Sequence, residues 1–174
     1  MVTTDKHIDI ADVDAIRQKI WSVLETVSDP EVPVLSIIDL GVVRDVVQTL
    51  TGSWDIIVTP TYTGCPAMDV MKINIRMALL AAGFTNISIK EILSPAWNTA
   101  WMSEAGKQKL KAYGIAPPQY EKPTTDAFAK EQTVPCPLCN SGNTRLVSQF
   151  GSTACKALYQ CNNCSEPFDY FKCH

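Results

Sequence analysis

Four of the seven cysteines have the spacing of a metal site. They form two Cys-x-x-Cys pairs, Cys136 with Cys139 and Cys161 with Cys164. Two such pairs complete a tetrahedral sulfur site around one ion. A stretch of ~40 residues cannot bury enough apolar surface to fold unaided, so we expect structural zinc here. A rubredoxin-like iron site uses the same four ligands, and the sequence leaves iron open.

A fifth cysteine, Cys65, stands apart from the others at the predicted start of a helix. Gly64 permits a tight turn before it, and Pro66 suits the first helical position. The amides and dipole at a helix start favour a negatively charged, nucleophilic thiolate that binds soft metals. The alternative is a buried thiol, and spacing alone favours neither. The chain's two histidines, His7 and His174, lie near its ends and are poorly placed to act as a base.

Two acids in the loop Asp29-Pro-Glu31 could add oxygen ligands to Cys65. A thiolate with carboxylates is suited to holding a metal or cluster transiently. Ordinary turn chemistry is the commoner role for such acids. Cys155 and Cys173 remain, and we interpret both as small core residues of the C-terminal segment.

Hydrophobic periodicity predicts the elements that position these residues. Apolar spacing predicts helices over residues 12–27 and 67–82, and 104–113 form a shorter helix with Ser103 as its N-cap. β-Branched runs predict strands over 41–49 and 54–59, and a third strand beginning at Ile87. The first domain is therefore an α-β-β-α-β-α unit over residues 1–115.

The remaining chain divides into a linker and a ribbon. Prolines among polar residues predict a stiff linker over residues 116–133. Two strand-like stretches at 145–150 and 157–160, joined through Gly151-Ser152, predict a zinc ribbon over 134–174. The predicted fold class is α+β, a small α-β-β-α-β-α domain with a C-terminal four-cysteine ribbon.

Composition excludes several classes of protein. Hydrophobic residues make up 46% and charged residues 19% of the 174 residues, as in a globular protein. The net charge of −3 argues against binding to nucleic acid or to an anionic membrane. No apolar run is long enough to span a membrane, and the N-terminus does not resemble a signal peptide. We therefore expect a cytoplasmic protein.

Several segments resemble known families. Residues 29–44 (DPEVPVLSIIDLGVVR) and 59–67 (TPTYTGCPA) resemble the SufT-like domain of iron–sulfur cluster assembly proteins. The continuation is similar to the PaaD family of bacterial phenylacetate degradation. It is carried by residues 94–106 (SPAWNTAWMSEAG), 113–118 (YGIAPP), 150–159 (FGSTACKALY) and 166–172 (EPFDYFK).

The resemblance implies a non-catalytic accessory of phenylacetyl-CoA epoxidase, a multicomponent di-iron monooxygenase. It implies a maturation factor that helps supply an iron–sulfur cluster or iron, with the iron–sulfur reductase as the expected client. By position, Cys65, Asp29 and Glu31 match the family's domain cysteine and acidic loop, and the four ribbon cysteines match its ligands. One cysteine cannot fill a cluster's four positions, so a second protomer in a homodimer, a partner or a small thiol would complete the site.

Two other interpretations compete with the maturation factor. In one, the chain is a redox subunit that relays electrons through iron held by its C-terminal cysteines. In the other, it is a scaffolding module in which Trp97 and Trp101 contact a partner. Core packing is the alternative role for both tryptophans.

Overall fold

The computed structural model describes residues 10–119 and 133–172. The helices are α1 (Ile10–Glu25), α2 (Ala67–Ala81) and α3 (Glu104–Ala112). The strands are β1 (Val43–Gln48), β2 (Trp54–Val58), β3 (Ile87–Glu91), β4 (Ile115–Ala116), β5 (Thr144–Ser148), β6 (Lys156–Cys161) and β7 (Pro167–Phe171). The α+β fold class and the α-β-β-α-β-α order of the first domain are confirmed.

The first sheet has the order β1-β2-β3. Strands β1 and β2 form an antiparallel hairpin around Gly52, whose φ of +79° explains glycine there. Strand β3 lies parallel to β2, which requires a crossover, and α2 supplies it. Cys65 therefore lies in the connection between the end of β2 at Val58 and the start of α2 at Ala67.

The helices cover this sheet through the apolar faces that the sequence predicts. On α1 the side chains of Ile20 and Leu24 are fully buried, and on α2 those of Ile75 and Leu79 are fully buried. The predicted N-cap of α3 is also confirmed, because Ser103 Oγ accepts a hydrogen bond from the Gly106 amide at 2.8 Å.

The second sheet joins the ribbon to the first domain. Its order is β4-β7-β6-β5, and β4 belongs to the chain that directly follows α3. Ile115 and Ala116 pair in parallel with Asp169 and Tyr170 of β7. The sequence analysis predicted neither β4 nor β7 as a strand, since two residues and a short aromatic run carry no clear periodicity. Most of the predicted linker, residues 120–132, lies outside the described residues.

Aromatic packing also joins the ribbon to the first domain. The ring of Phe171 in the ribbon meets the ring of Trp97 in the first domain edge to face, with 6.3 Å between centroids. Phe171 and Cys155 belong to the same buried apolar cluster as the core of the first domain. The ribbon is therefore docked against the assembly domain. None of the helices in the described ranges is long and apolar enough to cross a membrane.

Candidate functional site: a four-cysteine centre and a thiol–carboxylate cluster

The four ribbon cysteines converge on one point. Their sulfur atoms all lie within 4.8 Å of one another. Cys139 Sγ and Cys161 Sγ are 3.5 Å apart, and Cys136 Sγ and Cys164 Sγ are 3.8 Å apart. A tetrahedral zinc with Zn–S bonds of about 2.3 Å has sulfur–sulfur edges of about 3.8 Å. The donor set therefore fits a closed structural zinc site.

Local backbone geometry shapes both Cys-x-x-Cys turns in the same way. The residue after each pair, Asn140 or Ser165, has a positive φ of 59° or 64°, so the chain turns back sharply. In the second turn, hydrogen bonds from the backbone amides of Cys164 and Asn163 lower the pKa of Cys161 to about 6. Such N–H donors stabilise the thiolate that a zinc ligand must be.

The loop that carries Asp29 and Glu31 is fixed by its first acid. Asp29 Oδ1 accepts hydrogen bonds from the amides of Glu31 and Val32, both at 2.7 Å. Burial raises the pKa of Asp29, and these two hydrogen bonds oppose the rise. Asp29 therefore acts as the turn former of the loop. The neighbouring Glu31 side chain is only half buried and carries a second carboxylate toward the ribbon.

Cys65 lies where the predicted turn meets α2. Its amide donates to the Tyr62 carbonyl at 3.2 Å, and its carbonyl accepts from the Met68 amide at 3.2 Å. Gly64 has a φ of +82°, a left-handed conformation that glycine adopts without steric cost. The helix N-cap is Pro66, which has no side-chain cap, so Cys65 immediately precedes it. Cys65 is half buried, and its predicted partial exposure is confirmed.

Tyr62 connects Cys65 to the acidic loop. Burial, followed by the charge of Cys65 and a side-chain hydrogen bond with it, raises the pKa of Tyr62 to about 12. The charges of Glu31 and Cys155 act on the same phenol and raise its pKa further. The phenol therefore stays protonated at neutral pH and can donate its hydrogen bond to the Cys65 sulfur.

The contact of Cys155 with the acidic loop is a feature that the sequence analysis missed. Its thiol donates to Glu31 Oε2 at 3.3 Å and lies 3.0 Å from Thr153 Oγ1. Burial raises the pKa of Cys155 to about 12; the Thr153 hydroxyl opposes the rise, and the carboxylates of Glu31 and Asp29 add to it. The interpretation as a core residue is right about burial, since only 5% is exposed. The position against Glu31 depends on how the ribbon docks, which no local pattern reveals.

A cavity of about 360 Å³ adjoins Tyr62. Its walls combine hydroxyl-bearing and apolar residues: Thr59, Pro60, Thr61, Tyr62, Thr63, Leu93, Ala96 and Trp97. Thr59 Oγ1 is buried and has no hydrogen-bond partner among the residues that the structure describes. Buried hydroxyl groups are nearly always satisfied, so this one points to a water or ligand in the functional protein.

The two candidate contact tryptophans take different positions. Trp97 is 4% exposed, and its Nε1 donates to the Leu40 carbonyl at 2.9 Å. It packs in the core against Phe171 of the ribbon, which is the core-packing role given above as the alternative for the tryptophans. Trp101 is half buried beneath the Arg44 guanidinium, which lies 3.4 Å from the ring centroid.

The thiol–carboxylate cluster of Cys65, Tyr62, Glu31 and Cys155 is open. Within residues 10–119 and 133–172, the ribbon cysteines are the sole group of three or more metal-ligating residues whose ligand atoms all lie within 4.8 Å. Cys65, Asp29 and Glu31 therefore form no such group among these residues, and their joint role as metal ligands stays a prediction. His7, His174 and Cys173 lie outside the described residues.

Two family profiles match separate parts of the chain. Residues 17–89 match the profile described as "Iron-sulfur cluster assembly protein". Residues 120–172 match the "PaaD zinc beta ribbon domain". The four-cysteine centre is therefore a zinc ribbon site by both geometry and family, and structural zinc is its cofactor.

Relatives with assigned names extend this comparison. One is an Escherichia coli (strain K12) protein named as a subunit of a "Putative 1,2-phenylacetyl-CoA epoxidase". The chain is 49% identical to it over 155 residues, covering 89% of this chain and 92% of that protein. The chain is also 33% identical to the "Fe-S protein maturation auxiliary factor" of Porphyromonas gingivalis, covering 54% of this chain and 90% of that protein.

A solved structure shows the same fold for the first domain. The crystal structure of "Domain of Unknown Function DUF59 from Bacillus anthracis" superimposes with a TM-score of 0.51 at 28% identity. The match covers 56% of this chain and 92% of that chain. The ribbon is thus an addition to a domain that also occurs alone.

Proposed function

Because the chain belongs to the PaaD family of iron–sulfur cluster assembly proteins, we propose that it is a non-catalytic maturation factor of a phenylacetyl-CoA epoxidase complex. In this role it holds iron or an iron–sulfur cluster briefly and passes it to a component of the complex. Two kinds of relative support the proposal, one named for the epoxidase and the other for Fe–S protein maturation.

The observation that carries the proposal is the surroundings of Cys65. A half-buried thiol precedes a helix without a side-chain cap, beside a tyrosine hydroxyl that hydrogen-bonds to it and a loop that presents Glu31. Thiolate sulfur prefers soft cations and carboxylate oxygen prefers hard ones, so a site with both kinds of ligand suits iron. The open arrangement also suits a carrier, because cargo must leave.

The iron–sulfur reductase is the client that we propose. It is the component for which the family resemblance implies a [2Fe–2S] cluster, and such a cluster needs four ligand positions filled at delivery. A donor with few ligands of its own releases cargo readily to an acceptor that offers more thiolates.

The test is the cluster content of the reductase made with and without this protein. We expect Cys65→Ser to lower iron and acid-labile sulfide per reductase to the level seen without the factor, with epoxidase activity falling in parallel. Asp69→Asn is the matched control, because Asp69 is exposed in the first turn of α2 and forms only a 3.9 Å ion pair with Lys72. Full cluster content with Cys65→Ser would refute the proposal.

A further inference from the structure

The outer face of α2 carries a stripe of exposed apolar side chains. Surface helices usually present polar groups on their outer face, yet between 42% and 64% of each of these residues is exposed in the described part of the chain. The members of this α2 stripe are Val70, Ile73, Met77 and Leu80. The opposite face, which includes Ile75 and Leu79, is already buried, so the stripe is a second apolar face of the same helix.

The spacing of the α2 stripe is that of a contact between two helices. Successive members are three, four and three positions apart, which is the pattern of the apolar positions of a coiled coil. This spacing aligns the side chains along one line of the helix surface, where the same line of a second helix can interdigitate with them. The stripe therefore fits a helical partner better than a small ligand or an extended peptide.

A groove beside the stripe enlarges this surface. It has a volume of about 380 Å³ and lies between α2 and the loop that follows α1. Met77 of the stripe and Asn74 form one wall, and Pro30 and Pro33 of the loop contribute to the other. A side chain of a paired helix can enter this groove, so the contact extends beyond the four residues of the stripe.

Charges along one flank of the α2 stripe indicate what pairs with it. Asp69 and Arg76 lie on the same flank, because each comes one position before a residue of the stripe and they are seven positions apart. Asp69 is exposed, with Lys72 as its ion-pair partner at 3.9 Å, and Arg76 has no ion-pair partner among the described residues. This flank therefore offers one anion and one cation to a partner.

A second copy of α2 matches this flank when the two helices are antiparallel. In an antiparallel pair that places Ile73 against Met77, equivalent flanks meet, so two aspartates and two arginines share one flank. In a parallel pair the flank would meet the opposite one, which carries Asn74 and Ala81 and has no charge. The charge pattern of α2 is thus complementary to itself in one orientation only.

We propose that the protein forms a symmetric dimer through the α2 stripe, with the two helices antiparallel and Ile73 of each copy packed on Met77 of the other. Asp69 of one copy then lies about 8 Å along the helix axis from Arg76 of the other, within reach of the two side chains. The two Cys65 residues lie at opposite ends of the helix pair, about 30 Å apart along its axis. The dimer therefore does not join the two Cys65 sites, and the carrier role of Cys65 does not depend on it.

Sedimentation velocity of the full-length, zinc-loaded protein over a range of concentrations tests the proposal. One pair of short helices buries less than the roughly 1,200–2,000 Å² of a stable interface, so we expect a weak dimer that dissociates on dilution. Ile73→Lys should weaken the dimer at least about tenfold, because it places a charge between the two stripes. Leu50→Lys is the control and should match the wild type, since Leu50 is fully exposed in the turn between β1 and β2.

Exchanging the flank charges tests the antiparallel arrangement. Asp69→Arg puts four cations on the shared flank and Arg76→Asp puts four anions there, so each should weaken the dimer about tenfold. The variant with both changes has two charges of each sign again and should dimerise like the wild type. Circular dichroism and zinc content show that each variant is folded, and if Ile73→Lys is not, the charge variants decide.

Three other results would overturn the proposal. A wild type that stays monomeric at every concentration has no such dimer, and if Ile73→Lys then also loses binding to the reductase, the stripe contacts the client instead. A dimer that Ile73→Lys leaves unchanged forms through another face. A dimer weakened by both single charge changes but not restored by the double variant is not the antiparallel one.

Discussion

The two cysteine-containing regions of this protein differ in whether their side chains form a complete set of metal ligands. In the ribbon, four thiols from two turns lie at tetrahedral spacing. In the other region, Cys155 hydrogen-bonds to Glu31 across the two domains and Tyr62 hydrogen-bonds to Cys65, and the three ligand atoms form no closed metal-ligating group among the described residues. A closed set of four thiolates leaves no position for an incoming ligand, so it keeps its zinc. An open set of mixed donors can both take up and give away a metal.

The comparison also shows how one region depends on the other. The ribbon is too small to fold on its own core, so zinc holds it together. Cys155 reaches Glu31 only if the ribbon is folded and docked. The four-cysteine site thereby supports the contact between Cys155 and Glu31 across the boundary of the two domains.

Removing a zinc ligand should have the largest effect. Cys161 is fully buried, and replacing it by alanine leaves three thiolates. We expect loss of zinc and of ~10 kcal/mol of metal-binding free energy, which unfolds the ribbon. Hydrogen exchange should show β5, β6 and β7 unprotected, while β1, β2 and β3 keep their protection.

Cys155→Ala is the matched control for this experiment, because Cys155 lies outside the four-cysteine centre. It should retain one zinc per chain and a protected ribbon. A Cys161→Ala protein with full zinc content and an intact ribbon would show that the closed site is not what holds this region.

Weakening the contact between the ribbon and the first domain, without changing a zinc ligand, should have an intermediate effect on stability. Phe171 is 2% exposed and packs edge to face on Trp97. Phe171→Ala should lower the free energy of unfolding by about 3–5 kcal/mol, the usual cost of removing a buried phenylalanine. Denaturant unfolding measures this loss, and zinc content should remain at one per chain.

Phe150→Ala is its control, since Phe150 is 62% exposed and should change stability by less than about 1 kcal/mol. Equal losses for the two variants would contradict a docked interface at Trp97. A loss confined to Phe171→Ala would show that the ribbon docks on the first domain through this contact.

The sequence predicts the closed region better than the open one, for a physical reason. The ribbon ligands lie in two short motifs whose geometry is local, so spacing alone identifies Cys136, Cys139, Cys161 and Cys164 as a group. The helix faces and the Ser103 cap are local in the same way and are confirmed. In each case the partners are close in sequence or repeat with the period of the element.

The open region depends on contacts between distant residues. Glu31 and Cys155 are separated by 124 positions, and they meet because β4 pairs with β7 and Trp97 packs on Phe171. None of those contacts has a periodic signal. Sequence reasoning grouped Cys65 with the acidic loop and left Trp97 open between a partner contact and core packing, but it interpreted Cys155 as a core residue of the ribbon.

The smallest expected effect is a pH dependence that originates in the open region. In the folded state Tyr62 keeps its proton up to about pH 12, mainly through burial, whereas an unfolded tyrosine releases it near pH 10. Between these values the folded protein binds more protons than the unfolded chain, so its stability must fall as pH rises. Below pH 10 both states are protonated, and this contribution does not change.

Tyr62→Phe removes the titrating group while keeping the ring. We expect its stability to fall less steeply between pH 10 and pH 12 than that of the wild type, with urea midpoints compared at matched pH. Tyr113→Phe is the control, because Tyr113 is 58% exposed and is not part of the thiol–carboxylate cluster. If Tyr62→Phe and the wild type lose stability in parallel, the pKa of Tyr62 is not raised by burial and by its contact with Cys65.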